Sequence, residues 1–457
     1  MNGREDLILK KHLLKYLLIG TCITGLLAGC GQTTTQTGAA ESQDTATAES
    51  TAEESGEATE TAQTEPSENI TLKFSFYGSE ADQKVYEERL ALYEETHPGI
   101  TVEPIYITDY PTQLKTMIAG GTAPDVMEIE ENIISFANQG ALLPLNDYIE
   151  KAGLDLNARV GETNVAKNSY QGQIYGVADR GGSMMLFYNK DLFDKYGVEY
   201  PTEDWTWEDM LAAAQKMTAG SGEEETWGYA QDYWWPFHMN WIYQAGGKIM
   251  DEDGNFAMNS PESVKALTFL RDLAGKYDVV PSRAEYANMG SGANAGTLFA
   301  SGRVGMMLNG MWLFSSLQDS DFEVEVSVPW GDQEKVTAPF GNALTISSNC
   351  KYPEQAFDLI NFMTDVQGQE VIVKYAEDVP ANMEVLNSDA FKNAPWSSHE
   401  IDFDQVIKCN EMTYVPPIGP NWTTWDAIIN EEVTSIYDGT GDPQEVLDRI
   451  EKRINEE

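Results

Sequence analysis

Ile70, Leu72, Phe74 and Phe76 alternate with Thr71, Lys73 and Ser75, the two-residue period of a strand with one face on a core. Tyr86, Leu90 and Tyr93 then recur at helical spacing until His97-Pro98-Gly99 breaks the run. Residues 100–107 read as a second strand, 112–119 as a helix and 124–129 as a third strand. Strands alternating with helices predict an α/β fold whose sheets are mainly parallel and flanked by helices, with ligands gathering beyond the carboxyl ends of the strands. Further along, Thr206-Trp207-Glu208-Asp209 predicts a capping box, and Ser260-Pro261 opens a helix over Val264, Leu267 and Leu270. Between them residues 228–248 are dense in aromatics, and Asp232-Tyr233-Trp234-Trp235-Pro236-Phe237 leads into a helical stretch. Core packing alone seldom needs so many adjacent rings. Residues 251–255 read as a hairpin turn, because the glycine comes too early for a calcium loop.

The start of the chain follows another pattern. Arg4, Lys10, Lys11 and Lys15 precede an apolar run over residues 16–28 that is short for a membrane span and suits a signal peptide, residues 1–29. Leu27-Ala28-Gly29-Cys30 resembles a bacterial lipoprotein processing site, which implies that Cys30 is lipidated and becomes the new N-terminus. Residues 31–69 are rich in Thr, Ser, Ala, Gln and Glu, without aromatics, Lys or Arg. Such a segment cannot bury enough apolar surface to offset its ordering entropy, so residues 30–69 are expected to be a lipid-anchored, disordered tether.

A formal net charge of −45 argues against nucleic acid or anionic lipid as a partner of the folded body, leaving the N-terminal lipid as its only membrane contact. Cys22 leaves with the signal peptide and Cys30 carries lipid, so Cys350 and Cys409 alone remain, and whether they pair is open. His97, His238 and His399 are isolated, without zinc-site spacing, and neither a Gly-x-Ser-x-Gly elbow nor a phosphate-cradling loop is present. No metal, cofactor or catalytic residue is expected, and the chain is not read as an enzyme.

Several segments keep a common order: Pro124-Asp125-Val126 before residues 140–145, Tyr175-Gly176-Val177 before 186–193, the 206–209 capping box, 299–307, Asn309-Gly310-Met311-Trp312 and 352–356. Together, over nearly all of residues 70–455, they resemble family 1 of the extracellular solute-binding proteins, the class that includes maltose-binding protein. The resemblance implies a two-lobed periplasmic-binding-protein fold of type II, with three interlobe crossings near 177–180, 327–331 and 379–382. Lobe 1 would comprise 70–178 plus 332–378, and lobe 2 179–331 plus 379–457. It further implies a monomeric, extracellular substrate-binding lipoprotein of an ABC importer. That subunit captures a sugar or oligosaccharide and hands it to permease subunits served by a separate cytoplasmic ATPase.

Residue by residue, the resemblance brings Tyr77, Ser79 and Glu80 to the cleft after the first strand, and Glu130, Glu131 and Asn132 after the third. It adds Asp179 and Arg180 from the first crossing, Asp232, Tyr233 and Trp234 from the aromatic stretch, and Trp312 and Trp425 as sugar-stacking rings. Ile129 stands where the maltose binder has a tryptophan, which weakens maltodextrin as the ligand. Flat rings for the C–H face of a pyranose, with carboxylates, amides and an arginine for its hydroxyl rim, suit a sugar. Arg180, the one cationic candidate, leaves an acidic sugar open. Core packing is the other reading of Trp312 and Trp425, and solvation that of Glu130, Asp179 and Asp232, whereas Trp207 and Tyr188 read as structural. A surface polysaccharide-binding adhesin and, further off, a glycosidase are the alternative functions.

Overall fold

Apolar alternation makes the first strand what it is. In the computed structural model β1 (Ile70–Phe76) buries Leu72, Phe74 and Phe76 and exposes Thr71 and Lys73. The following helix, Glu80–Thr96, starts where Ser79 accepts from the backbone N–H groups of Ala81 and Asp82, while Asp82 accepts from the Ser79 N–H at 2.6 Å. β2 (Ile100–Tyr106) and β3 (Val126–Ile129) both lie parallel to β1, one on each side. The structure describes residues 69–456 apart from 252, 291, 377 and 395–398, so Cys30, the signal segment and the tether fall outside the described residues.

A small hairpin, β4 (Ser169–Tyr170) with β5 (Gln173–Ile174), precedes the long β6 (Gly176–Ser183). β7 (Met185–Asn189), β8 (Trp227–Ala230), β9 (Val304–Asn309) and β10 (Val324–Ser327) follow, then β11 (Pro339–Ile346) and the short β12 (Val379–Pro380). They form a six-stranded sheet in the order β12-β6-β11-β3-β1-β2 and a four-stranded sheet in the order β10-β7-β9-β8, one for each lobe. Both are mixed, which corrects the expectation of mainly parallel sheets. β6 leads the chain out of the first lobe and β11 brings it back, so the two run antiparallel; β11 is also antiparallel to β3, and β12 to β6.

The chain passes from β6 to β7 at Met184, returns through residues 328–338, and leaves again beyond β12. The expected lobe break between 178 and 179 falls inside β6, so Asp179 and Arg180 belong to the first sheet. Where the first two crossings pair, Gly181 and Gly341 touch: a Cβ on Gly181 would lie 2.3 Å from Gly341 Cα, and both have positive φ. Only glycine suits that approach.

Phe74, Tyr86, Tyr93, Leu344, Phe357 and Ile360 fill one face of the first sheet, and Met127, Ile129, Leu114 and Phe136 the other. Leu186, Met306, Trp207, Met210 and Trp241 anchor the second lobe. Each such side chain contributes about 1.5–3 kcal/mol on burial, which holds the helices onto each sheet. Trp207 follows the Thr206 capping box and donates its indole N–H to Gln244 at 2.8 Å, and Asp251 closes its turn by accepting from Asp253 and Asn255. Cys350 and Cys409 are free.

Candidate functional site

The loops beyond β1 and β3 build one wall of a cleft. The Tyr77 hydroxyl lies 3.1 Å from Glu130 Oε2 and 3.0 Å from Asn342 Oδ1, so its one proton serves either acceptor. A cavity of about 100 Å³ opens here between Tyr77, Tyr110, Ile129, Glu130, Glu131 and Asn132. Burial raises the Glu130 carboxyl above the usual carboxylate range, against the Tyr77 hydrogen bond and the Lys167 ammonium.

The facing wall comes from the second lobe. Glu131 accepts from the indole N–H of Trp235, in the helix Trp235–Gln244, and from that of Trp422 at 3.4 Å, in the helix Trp422–Glu432. Beside it the Thr423 hydroxyl donates to Asn132 Oδ1 at 2.6 Å. Trp235 and Trp422 meet edge to face, their centroids 5.9 Å apart. The lobes are therefore in contact around Glu131. Burial pushes this carboxyl up to about 8, with Glu130 and Asp426 adding repulsion. Burial likewise pushes Asp426 up to about 6.

Asp232 is raised by burial and accepts from the Ala295 N–H at 3.2 Å. Tyr233 donates to the Pro281 carbonyl at 3.0 Å, and half-buried Trp234 lies edge-on to Trp235. Trp312, also half-buried, lies just beyond β9 and is tilted against Phe340 of β11, their centroids 4.5 Å apart.

Other expected site residues have structural tasks. Asp179 is wholly buried and grips the Arg89 guanidinium with both oxygens, leaving no surface for a ligand. Arg180 spends Nε on Glu128 at 2.7 Å, Nη1 on Asp82 and Nη2 on the Tyr77 carbonyl at 3.3 Å. With Asp378 also 3.8 Å away, its charge is surrounded by acids of the first lobe. Both residues were expected at the cleft from the first crossing, and β6 (Gly176–Ser183) contains them as part of the first sheet. Ser79 caps a helix and Glu80 is its exposed first residue. Trp425 is 8% exposed and packs edge-on against Phe256, 5.5 Å away, which makes it core in this arrangement.

Trp235, Trp422, Thr423, Asn342 and Lys167 were not singled out in the sequence. The signal for Trp422 was its place one helical turn before Trp425, and Trp235 stood beside Trp234 in the aromatic run. Nothing local marked Asn342. Among the described residues no group of three His, Cys, Asp or Glu side chains is arranged to hold a metal ion. What the cleft offers is carboxylate and amide acceptors, indole donors and ring faces, the chemistry that holds a polyhydroxylated solute.

The family described as bacterial extracellular solute-binding protein matches residues 88–396. A putative binding protein of Brucella abortus is 25% identical over 374 residues, 79% of this chain and 87% of that one. A maltotriose-binding protein of Pyrococcus abyssi is 25% identical over 365 residues, 76% of this chain and 73% of the relative. Among solved structures, an ABC substrate-binding protein of Listeria monocytogenes in complex with cycloalternan is 31% identical with a TM-score of 0.77, covering 85% of this chain and 99% of its own. Matched by the family over most of its length, and by a 31%-identical structure over nearly all of that protein, the chain belongs to the bacterial extracellular solute-binding proteins.

Proposed function

We propose that this protein is the lipid-anchored, extracellular subunit of an ABC importer that captures a neutral sugar or oligosaccharide between its lobes and delivers it to the permease. The observation that carries the reading is the contact of Glu131 with Trp235 and Trp422, in which acceptors from one lobe meet indoles from the other. A ligand touching both walls stabilises closure by its differential affinity for the closed arrangement. The cycloalternan and maltotriose named for two relatives support an oligosaccharide over a peptide or an amino acid. Arg180, fully engaged by acids, supports a neutral sugar over a uronate. Anchoring rests on the Leu-Ala-Gly-Cys30 site, and neither catalysis nor a cofactor enters the reading.

Uptake tests the transport role. Deleting the gene should abolish import of the sugar that the purified protein binds, and import at the native rate without a second binder would refute it.

A further inference from the structure

A cavity of about 280 Å³ lies where all three crossings join the first sheet, lined by Gly181 and Gly182 of β6, Pro339 and Phe340 of β11, and Val379 and Pro380 of β12. It shares no lining residue with the smaller cleft cavity between Tyr77 and Asn132. Its walls are the helix Glu162–Lys167 of the first lobe, the helix Met383–Leu386 beyond the third crossing, and the helix Phe403–Glu411. The last of these belongs to the second lobe, since its Val406 and Cys409 share a core with Phe187 and Val326.

Each wall brings one asparagine with the same local bond. Asn164, Asn387 and Asn410 donate Nδ2 to the carbonyl four residues back, on Val160, Met383 and Val406, at 2.9, 2.8 and 3.0 Å. Among the described residues no donor reaches any of the three Oδ1 atoms, so an acceptor is what each amide offers to the cavity it lines. Asn410 Oδ1 stands at the hinge itself, 3.1 Å from where a Cβ on Gly182 would sit. Phe340, Met383, Leu386 and Ile407 give the cavity an apolar side, with Met383 38% exposed. The charges set the ligand class. An anion would meet Glu162 and Glu411, and a cation would meet Lys167 and Arg180, which are already engaged by the Gly341 carbonyl and by Asp82 and Glu128. A neutral solute escapes both, and one with several hydroxyls supplies donors for the amide oxygens and a C–H face for the apolar side. The volume is just below the usual range for small-molecule sites, about 300–1,000 Å³, which limits the solute to a disaccharide or smaller.

We propose that this cavity is a second binding site, for a neutral polyol no larger than a disaccharide, held by the oxygens of Asn164, Asn387 and Asn410 across the hinge. An occupant touches both lobes and all three crossings, so it biases the arrangement of the lobes. The site does not depend on what the cleft binds.

The test uses the full-length protein with isotope-labelled methionine methyls and tryptophan indoles, titrated with xylitol, arabinose, glucose and maltose and read by NMR. The Met383 methyl resonance, assigned by its disappearance in M383L, should shift saturably with at least one of them. In N164L and N410L, each lacking one amide oxygen, the midpoint should rise about tenfold. N387L, at an exposed position, carries the same expectation should either of those variants fail to melt cooperatively. A Met383 resonance that none of the four solutes moves overturns the proposal, and so does a midpoint left native by the folded variants. A titration that moves only the Trp235 and Trp422 indoles also overturns it, and leaves the proposed function standing. Failure of the cleft to bind any oligosaccharide ends the proposed function instead and does not touch the Met383 titration, whose saturation would still support the second site.

Discussion

Trp422 Nε1 lies 3.4 Å from Glu131 Oε2, and the two residues belong to opposite lobes. Opening the cleft would return this carboxylate to water, so its protonation and the motion of the lobes are linked. The closed-state value, about 8, is the raised one. On the proposed reading, closure would take up a proton. Its support is complete below the usual carboxylate range and is lost as pH rises through about 8. Asp426, raised to about 6, acts in the same sense over a lower window, and Lys167 remains protonated below about 8 and adds no slope there.

The ligand-free protein should consequently expand as pH rises from about 5 to about 8, and Glu131→Gln should flatten that change. Small-angle scattering reads it directly. A radius of gyration that is constant in the native protein and in the variant alike would remove Glu131 as the coupling group.

The two tryptophans expected to stack on sugar should behave differently. Trp425→Ala empties a core position and should cost about 3–5 kcal/mol, seen as a lower melting temperature. Trp312→Ala removes a half-buried ring and should leave melting near native while weakening sugar binding by about 2 kcal/mol or more, roughly thirtyfold. Calorimetry on each variant decides, and the assignment reverses if Trp425→Ala melts normally but no longer binds.

Asp179→Ala should be severe for another reason. It leaves the Arg89 guanidinium buried without its partner, a loss of about 3–5 kcal/mol. The folded fraction should bind sugar normally. Native stability with lost binding would return Asp179 to the cleft.

The parts of the fold legible in the sequence were those with a local cause. The β1 alternation, the break at His97-Pro98-Gly99, the Thr206 capping box and the Ser260-Pro261 helix start each follow from a few neighbouring residues. The carboxyl-end loops at Tyr77 and 130–132 follow from strand order. Asp179 and Arg180 were expected at the cleft through the resemblance, and their structural role depends on Arg89, Glu128 and Asp82, which lie far away in sequence. Trp422 and Trp425 differ by one helical turn, and which of them turns toward the cleft depends on Phe256 and Glu131. No local pattern holds that information.

Cys30→Ala tests the anchor. The native protein should partition with membranes, whereas the variant should stay unprocessed or be released, as fractionation and the mass of the mature N-terminus would show. A variant processed and retained like the native protein would leave lipidation without support.

The central claim is capture of a neutral oligosaccharide between the lobes, and the most direct measurement is the melting temperature of the purified protein against a panel of neutral oligosaccharides, uronates and peptides. At a hundred times its dissociation constant a ligand adds about 2.7 kcal/mol of stability. The expected result is a clear upward shift with at least one neutral oligosaccharide and none with the uronates or peptides. A shift produced only by an acidic sugar or a peptide would contradict it.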